Sequence, residues 1–403
     1  MKKLLTLLII GLINHFLLAQ QIISSITSGN ATNPFTWDCT CIPQFSDNII
    51  INHNVLLDSD WIINNGGSVT VGPNGTLIKD AQNRVVLVDG GNSVFNNQGT
   101  TELTSMAFLN NSTGENSNTL RISNALYVDT LASFTNSGGM NNLDSTLITG
   151  TFINSGSFLE GSLWTAGTFE NTGYVKKDSL LNTGILSSSS GAILAFDFAT
   201  LGELNLTGDA YMIVDNNFYN TRIINIGNGR DIRIGNDFFS GDSTFSTANI
   251  TNDGLIEVSN NFLNIDTLQG TGTFCIGGVS TNTGRIIGTL DICSNSTSDF
   301  FNTNTGQIDP TVTNCQTGCI VATEDVYAIN DIKVYPNPFE HQLHIELGND
   351  AIHRVAVYST LGKCLYEKQQ GELSVIELSN LPTGTYILKV ETDLKVFTRK
   401  IVK

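Results

Sequence analysis

A short motif, asparagine followed by any residue and then glycine, recurs along the chain between short apolar runs. Nine of its copies begin at Asn97, Asn136, Asn154, Asn171, Asn182, Asn225, Asn252, Asn282 and Asn304. The spacings from Asn136 to Asn154, from Asn154 to Asn171 and from Asn282 to Asn304 are 18, 17 and 22 residues. A period near 20 residues is typical of a solenoid whose repeats are single coils. The motif therefore predicts a stack of coils.

The runs between the motifs have the composition of β-strands. Stretches such as NIIINHNVLL from residue 48 and GTFINSGSFLE from residue 150 are rich in β-branched and aromatic residues. We predict an all-β chain that begins with a parallel β-helix of about a dozen coils, a rod on the order of 60 Å long at about 4.8 Å per coil. One or two β-sandwiches are the alternative, because strand patterns do not separate the two architectures.

Asparagine and glycine both suit the corners of such coils. Both tolerate the left-handed backbone that tight corners require. Stacked asparagine side chains can also hydrogen-bond along successive coils. The start of the region, with Trp37, Pro43 and Asp47 ahead of the first strands, resembles the amino-terminal capping turns of many exported bacterial β-helices.

The first 20 residues have the features of a secretory signal peptide. Lys2 and Lys3 precede an apolar run from Leu4 to Leu18, and Ala19 is a small residue at a plausible cleavage point. A membrane anchor is the competing interpretation, but Asn14 and His15 interrupt the run and it is shorter than the roughly 20 residues that a spanning helix needs. We expect an exported chain that passes through the periplasm.

The charge balance changes near residue 330. Residues 21–332 contain 9 Lys and Arg against 29 Asp and Glu, whereas residues 333–403 contain 9 against 8. We therefore predict a β-helix-like passenger over 21–320, a linker over 321–332 and a separate domain over 333–403. The acidic passenger argues against nucleic acid as a partner. Divalent cations or neutral glycans suit it better, although solubility alone also explains the charge.

Six of the seven cysteines precede the boundary, an even number that favours disulfides in an exported chain. We predict bonds between Cys275 and Cys293 and between Cys315 and Cys319. Zinc is the rival interpretation, but the spacings lack nearby histidines. Cys364 lies in an alternating apolar pattern and is predicted to be a buried free thiol.

Catalytic motifs are scarce before residue 330. His53 is the one histidine there outside the signal peptide, and nucleophile-elbow, dinucleotide and phosphate-loop motifs are absent from the sequence. Carbohydrate cleavage needs only carboxylates, with basic residues and calcium in some β-helix enzymes. The weak enzyme candidates are Arg230, Asp231, Arg233 and Asp237, for which surface ion pairing is the commoner explanation.

We predict no cofactor and no metal ligand set. Asp58 and Asp60, in LDSDW, leave structural calcium open, although this stretch lacks the remaining positions of an EF-hand loop.

The last 71 residues alternate apolar and polar positions, which predicts a small Ig-like antiparallel β-sandwich. The stretches KVYPNPF, VAVYSTLGKCLY and LSNLPTGTYILKVETDLKVFTRKIVK, in that order, closely resemble the type A carboxy-terminal sorting domain of the type IX secretion system. The residues that carry the resemblance are Tyr335, Pro336, Asn337, Pro338, Gly362, Leu381, Gly384, Tyr386, Lys400 and Lys403.

The resemblance implies an export route. The partners it implies are the type IX translocon and a sortase-like protease, and the expected location is the outer cell surface or the medium. For the passenger we expect a non-enzymatic role in adhesion or matrix interaction, with glycans or surface matrix as partners. The alternative is a carbohydrate-active enzyme, a polysaccharide lyase or glycosidase on a β-helix scaffold.

Overall fold

A computed structural model describes residues 20–241, 248–296, 299–315, 333–346, 352–359, 363–369, 373–392 and 396–403. The chain divides into two compact units, Met1–Val321 and Ala322–Lys403. The predicted linker, and all but the last residue of the predicted signal peptide, lie outside the described residues. No helix in these described ranges is long and apolar enough to cross a membrane.

The first unit is a parallel β-solenoid of about 13 turns. Its wall has three faces, each a column of parallel strands in which a strand pairs with its equivalents one coil earlier and one coil later. The predicted parallel β-helix is therefore confirmed. The single helical element among the described residues is a 3₁₀ turn, Pro34–Thr36.

The first face comprises Ile22–Ser24, Asn48–Ile51, Ser68–Val71, Val94–Asn97, Thr113–Asn116, Ser133–Asn136, Thr151–Asn154, Thr168–Asn171, Ile185–Ser188, Glu203–Leu206, Ile223–Ile226, Asn249–Asn252, Thr267–Gly270, Arg285–Gly288 and Gln307–Ile308. The second face comprises Gly29–Asn30, Asn54–Leu57, Thr76–Lys79, Thr100–Leu103, Thr119–Ile122, Gly139–Asn142, Ser157–Leu159, Tyr174–Asn182, Ala192–Thr200, Tyr211–Val214, Asp231–Ile234, Leu255–Val258, Thr273–Ile276, Asp291–Ser294 and Thr313–Asn314. The third face comprises Trp61–Ile63, Val85–Asp89, Ser105–Leu109, Ala125–Val128, Ser145–Ile148, Ser162–Thr165, Phe218–Asn220, Phe238–Ser240, Phe262–Asn264, Ser280–Asn282 and Thr303–Asn304. Two long strands, Tyr174–Asn182 and Ala192–Thr200, continue from the second face onto the third.

Apolar side chains that point inward fill the solenoid in rows. Phe134, Phe152 and Phe169 occupy one first-face position on successive coils and are fully buried. Their neighbouring ring centroids are 5.3 Å apart. Gly114 occupies this position one coil before Phe134, and a Cβ there would meet the rings of Phe108 and Phe134 at 2.4 Å. Glycine at this coil therefore makes room for a phenylalanine from the third face.

Buried asparagines at the end of the first-face strands form a ladder of side-chain hydrogen bonds. The first four side-chain amides each donate to the carbonyl oxygen of the asparagine one coil later, over 2.7 to 2.8 Å, and the last donates to the Ser188 hydroxyl over 3.1 Å. The members are Asn97, Asn116, Asn136, Asn154 and Asn171, all at most 1% exposed. Because an amide both donates and accepts hydrogen bonds, each asparagine can pair with the coil before it and the coil after it. Burying an amide without such partners would raise the free energy of the folded state.

Close backbone approach explains the glycines of the repeated motif. A Cβ on Gly156 would lie 2.1 Å from the carbonyl oxygen of Gly138, and one on Gly173 would lie 2.1 Å from that of Gly156. None of these three residues has a positive φ. Left-handed backbone therefore does not explain these three glycines, although it occurs at other corners such as Asn65 and Gly161, and close contact between coils requires them instead.

Turns before the first complete coil cover its end. Trp37 is fully buried, its indole N–H donates to the Ala31 carbonyl over 2.9 Å, and its ring lies 6.4 Å from that of Trp61. A disulfide joins Cys39 and Cys41 in the same turns. This arrangement protects the first strands from edge pairing with another chain.

Three cysteines occupy equivalent positions on successive coils of the second face. Cys275 is in register with Cys293, and Cys293 is bonded to Cys315 with 5.1 Å between the Cα atoms. The structure thus differs from the predicted bond between Cys315 and Cys319, because the coil after Cys293 brings Cys315 back beside it. Cys319 lies outside the described residues. A cysteine forms a single disulfide, so the observed bond between Cys293 and Cys315 and the predicted bond between Cys275 and Cys293 exclude each other.

One lysine is buried in the wall of the solenoid. Lys177, on the long strand Tyr174–Asn182, is 2% exposed. Its ammonium donates to the carbonyls of Leu159 and Glu160 over 3.2 and 2.6 Å and lies 3.4 Å from the ring centroid of Phe158. Desolvation lowers the pKa of Lys177 well below its ordinary value, although Asp178 and Glu160 oppose the shift.

The second unit consists of two small antiparallel sheets. One contains Lys333–Tyr335, Gln342–Glu346 and Val375–Glu377, and the other contains Cys364–Lys368, Ile352–Ser359, Thr385–Thr392 and Val396–Val402. Their shared core includes Phe339, Leu343, Val355, Ile376 and Leu388. The predicted small antiparallel domain is confirmed. Cys364 is a free thiol as predicted, but it is exposed because it begins an edge strand.

Removing one member of the asparagine ladder should destabilise the solenoid. We expect Asn136→Ala to lower the free energy of unfolding by at least about 2 kcal/mol, since buried partner groups on two adjacent coils lose a hydrogen bond. Asn228→Ala, at an exposed turn, should change it by no more than about 0.5 kcal/mol. Denaturant midpoints measure both, and equal shifts would contradict a stabilising ladder.

Lys177 should make stability depend on alkaline pH. The folded chain releases this proton at a lower pH than the unfolded chain, whose lysine pKa is about 10.4, so between the two values the unfolded state binds more protons. The free energy of unfolding should therefore rise with pH in the alkaline range and level off above the pKa of the unfolded lysine. We expect Lys177→Met to flatten this rise, and Lys176→Met, at an exposed neighbour, to keep it. Parallel pH profiles for all three proteins would show that Lys177 is not the source.

Candidate functional site

One row of outward side chains on the third face is apolar over eleven consecutive coils. Its members, here named the apolar column, are Ile62, Leu87, Ala107, Tyr127, Leu147, Trp164, Leu181, Ala199, Tyr219, Phe239 and Leu263, each in register with the next. The twelfth position is Thr281. Inward residues of the same strands, such as Phe218 and Phe238, form the core, so the column exists in addition to it.

Large rings in the apolar column are open to solvent. Trp164 is 47% exposed and Tyr219 is 44% exposed. The Trp164 indole N–H donates to the Thr183 hydroxyl over 3.1 Å, and the rings of Tyr219 and Phe239 stack with centroids 5.3 Å apart. These contacts fix the ring orientations without covering the rings.

A row of polar side chains runs beside the apolar column, two residues earlier on each strand. Ser145, Ser162, Ser179 and Asp197 are in register on successive coils, and we name them the polar row. The Ser179 hydroxyl donates to that of Ser162 over 2.9 Å. The third face therefore presents an apolar strip with hydroxyl and carboxylate groups along one edge.

The column has a depression where its side chains become small. This cavity of about 370 Å³ is lined by Ser179, Leu180, Leu181, Asp197, Phe198, Ala199, Asn217 and Tyr219. Ala199 leaves the space open, Tyr219 bounds it, and Trp164 lies one coil before Leu181. Asp197 is held in place because its Oδ1 accepts from the Asn217 backbone N–H over 3.2 Å. Pockets of this volume accommodate small ligands.

The four enzyme candidates lie on a single coil, but three of them interact with separate partners on neighbouring coils. Arg230 pairs with Asp209 over 3.2 Å and Arg233 with Glu257 over 3.1 Å. Asp237 accepts from the backbone N–H and the side-chain amide of Asn261, in both cases over 3.0 Å. Of the four, Asp231 and Arg233 alone lie on the same outward side of one strand, and both are half-buried.

Glu257 is a carboxylate that the sequence search missed. It is in register with Arg233, and its pKa is raised, first by desolvation and further by the charge of Asp231, while Arg233 acts in the opposite direction. No sequence motif marks Glu257, because 24 residues of chain separate it from Arg233 and only the coil register brings the two together.

Asp58 and Asp60 take part in local hydrogen bonds. Asp58 accepts from the Thr32 backbone N–H, and Asp60 from that of Val85, both over 3.0 Å. Among the described residues, no group of three or more His, Cys, Asp or Glu side chains is placed to hold a metal ion. The calcium expectation stays a prediction.

In the second unit, Asn337 ties the first strand to the last. Its side-chain amide donates to the Lys400 carbonyl over 3.1 Å, and its carbonyl oxygen accepts from the Val402 backbone N–H over 2.8 Å. Pro336 and Pro338 flank it, and Tyr335 stacks on His344 with centroids 5.5 Å apart.

The other residues of the sorting resemblance meet at the end of the chain. Gly384 and Lys403 exchange backbone hydrogen bonds of 2.9 and 3.0 Å, and the Lys403 ammonium donates to the Leu378 carbonyl over 2.9 Å. Tyr386 donates to the Pro382 carbonyl, and Leu381 packs on the core. Gly362 lies outside the described residues.

Comparison with known proteins decides the nature of this unit. A family model described as a secretion system C-terminal sorting domain matches residues 333–403. Residues 333–403 are a type IX secretion sorting domain. The sorting domain indicates export, with secretion or attachment at the cell surface, and implies interaction with the type IX machinery.

A second comparison matches only a small part of the chain. The ulvan lyase NLR42 of Nonlabens ulvanivorans is 32% identical over 81 residues, which are 19% of this chain and 15% of that protein. The match thus spans a small part of the lyase, and it does not decide between a binding role and an enzymatic one.

The Asn337 hydrogen bonds should be needed for sorting. We expect Asn337→Ala to leave more protein in the periplasm, because the C-terminal strand loses two hydrogen bonds, each worth about 0.5–1.5 kcal/mol. Asn380→Ala, at an exposed position, is the matched control, and deletion of Lys333–Lys403 sets the fully retained level. Fractionation and immunoblotting measure the distribution, and undiminished export of Asn337→Ala would contradict this role.

Proposed function

We propose that the solenoid is a non-enzymatic binding protein that attaches to surface or matrix polymers through its third face. The observation that carries this proposal is the apolar column, because eleven apolar positions in register leave Trp164 and Tyr219 open to water. Contiguous exposed apolar surface on a protein marks an interaction site. The sorting domain delivers this surface to the outside of the cell.

The scaffold suits the proposed role. Backbone hydrogen bonds between coils fix the position of each column residue, so a bound polymer meets rings that are already in place. A long face also permits many weak contacts at once, which raises overall binding without any single strong pocket.

A carbohydrate-active enzyme is a second candidate, favoured by one cluster. Glu257, Arg233 and Asp231 lie together on outward positions of the second face, and the raised pKa of Glu257 suits a general acid. Arg233 engages this carboxylate, however, and the apolar column lies on a different face. These two features make a binding role the better supported proposal.

The proposal is tested by binding of the purified chain to a panel of glycans, matrix proteins and cell surfaces. We expect retention on at least one surface, and at least about tenfold weaker retention of the variant Tyr127→Ser/Trp164→Ser/Tyr219→Ser, because aromatic anchors dominate such interfaces. Phe196→Ser, an exposed aromatic residue outside the column, should bind normally.

Two outcomes would contradict the proposal. One is the absence of binding to every surface. The other is formation of new reducing or unsaturated ends from a polysaccharide panel, lost on Asp231→Ala, Arg233→Ala or Glu257→Gln, which would establish the enzyme instead.

A further inference from the structure

We infer that the apolar column binds a neutral, extended polysaccharide that lies along the solenoid axis, with sugar rings stacked on Trp164 and Tyr219. The inference rests on the proposed binding function and names the ligand class of the same site. The depression between these two rings would hold the sugar units that bridge them.

The chemistry of the third face matches that of a sugar chain. A pyranose ring has apolar C–H faces and hydroxyl groups around its edge. The column supplies aromatic and aliphatic surface, and the polar row supplies Ser145, Ser162 and Ser179, all exposed. On the opposite side of the column, Thr183 and Asp129 hydrogen-bond to Trp164 and to Tyr127. An apolar surface with a few placed polar groups at its rim is the usual composition of a ligand site.

The geometry favours a polymer over a small molecule. Neighbouring coils are about 4.8 Å apart, which is close to the length of one sugar unit in an extended chain. Tyr127 and Trp164 are two coils apart, and Trp164 and Tyr219 are three coils apart. An extended chain along the axis therefore meets a ring every two or three sugar units.

An extended peptide fits this face less well than a glycan. Peptides that add to sheets pair with the free backbone groups of an edge strand. The third-face strands that carry Trp164, Leu181 and Tyr219 are each paired on both sides with neighbouring coils. Their backbone groups are already used, so this surface offers side chains only.

Charge favours a neutral polymer over an anionic one. Asp197 lines the depression and Asp129 lies beside Tyr127, while neither the column nor the polar row contains lysine or arginine. Residues 21–332 also carry 20 more acidic than basic residues. A uronate or sulfated chain would be repelled by these carboxylates, whereas the hydroxyl groups of a neutral chain can donate hydrogen bonds to them.

The position of the tryptophans provides a direct signal. The chain has three, and Trp37 and Trp61 are at most 5% exposed, whereas Trp164 is 47% exposed. A sugar stacked on Trp164 should therefore change the tryptophan emission of the intact chain, and that change should disappear in Trp164→Phe. Trp164→Phe keeps a ring in place and should still bind when followed by calorimetry.

The experiment titrates the purified full chain with neutral β-1,4- and β-1,3-linked glucose hexasaccharides, and with oligogalacturonate as the anionic probe. We expect a neutral hexasaccharide to bind, its disaccharide to bind at least tenfold more weakly, and oligogalacturonate to bind no better than the disaccharide. Trp164→Ala and Tyr219→Ala should each weaken hexasaccharide binding about tenfold. Phe196→Ala, on the same strand as Ala199 but outside the column, should not.

The outcomes separate the ligand class from the binding function. Three results would overturn the inference. They are a failure of both neutral hexasaccharides to bind, unchanged hexasaccharide binding by the double variant Trp164→Ala/Tyr219→Ala, and tighter binding of oligogalacturonate than of the neutral hexasaccharides. The chain could instead bind a protein surface but no glycan, with the column variants losing that binding. This result would overturn the inference but leave the proposed function in place. Glycan binding that is insensitive to the column would overturn both.

Discussion

In-register backbone hydrogen bonding between successive coils is the constraint on which the rest of this structure depends. Because each strand pairs with its own equivalent one coil away, any position in a coil becomes a row along the solenoid. Inward rows hold rings such as Phe134, Phe152 and Phe169, or amides such as Asn136 and Asn154. Such a row places identical side chains next to each other, so it requires side chains that interact favourably with copies of themselves. Aromatic rings do so by stacking, and amides do so because they both donate and accept hydrogen bonds.

The same register also creates rows of outward side chains. Core packing does not restrict which residues occupy these rows. The second face carries an ion pair between Arg233 and Glu257 and a line of cysteines, whereas the third face carries an apolar strip and a polar one. The scaffold therefore repeats its core while its surface varies, which separates stability from recognition. The sorting domain is a third, separate part, held together at the end of the chain by Asn337 and Lys403.

The sequence predicts the solenoid, the small C-terminal sandwich and the export route, because each has a local signal in composition, period or motif. It does not predict the apolar column. The asparagine motifs come from two corners, since Asn171 ends a first-face strand and Asn182 a third-face strand, so their spacing hides the register. Without that register, Leu147, Trp164 and Leu181 are scattered residues, and Cys315 cannot be assigned to Cys293.

The central claim is that inward rows hold the fold and that the apolar column is free for binding. The most direct test compares the denaturant midpoint of Tyr127→Ser/Trp164→Ser/Tyr219→Ser with that of Phe152→Ala. We expect the single core change to lower the free energy of unfolding by about 3–5 kcal/mol. The triple surface change should cost about 1.5 kcal/mol or less in total, because a substitution at an outward position costs at most about 0.5 kcal/mol. A triple variant destabilised as much as Phe152→Ala would show that the column supports the fold and would contradict this account.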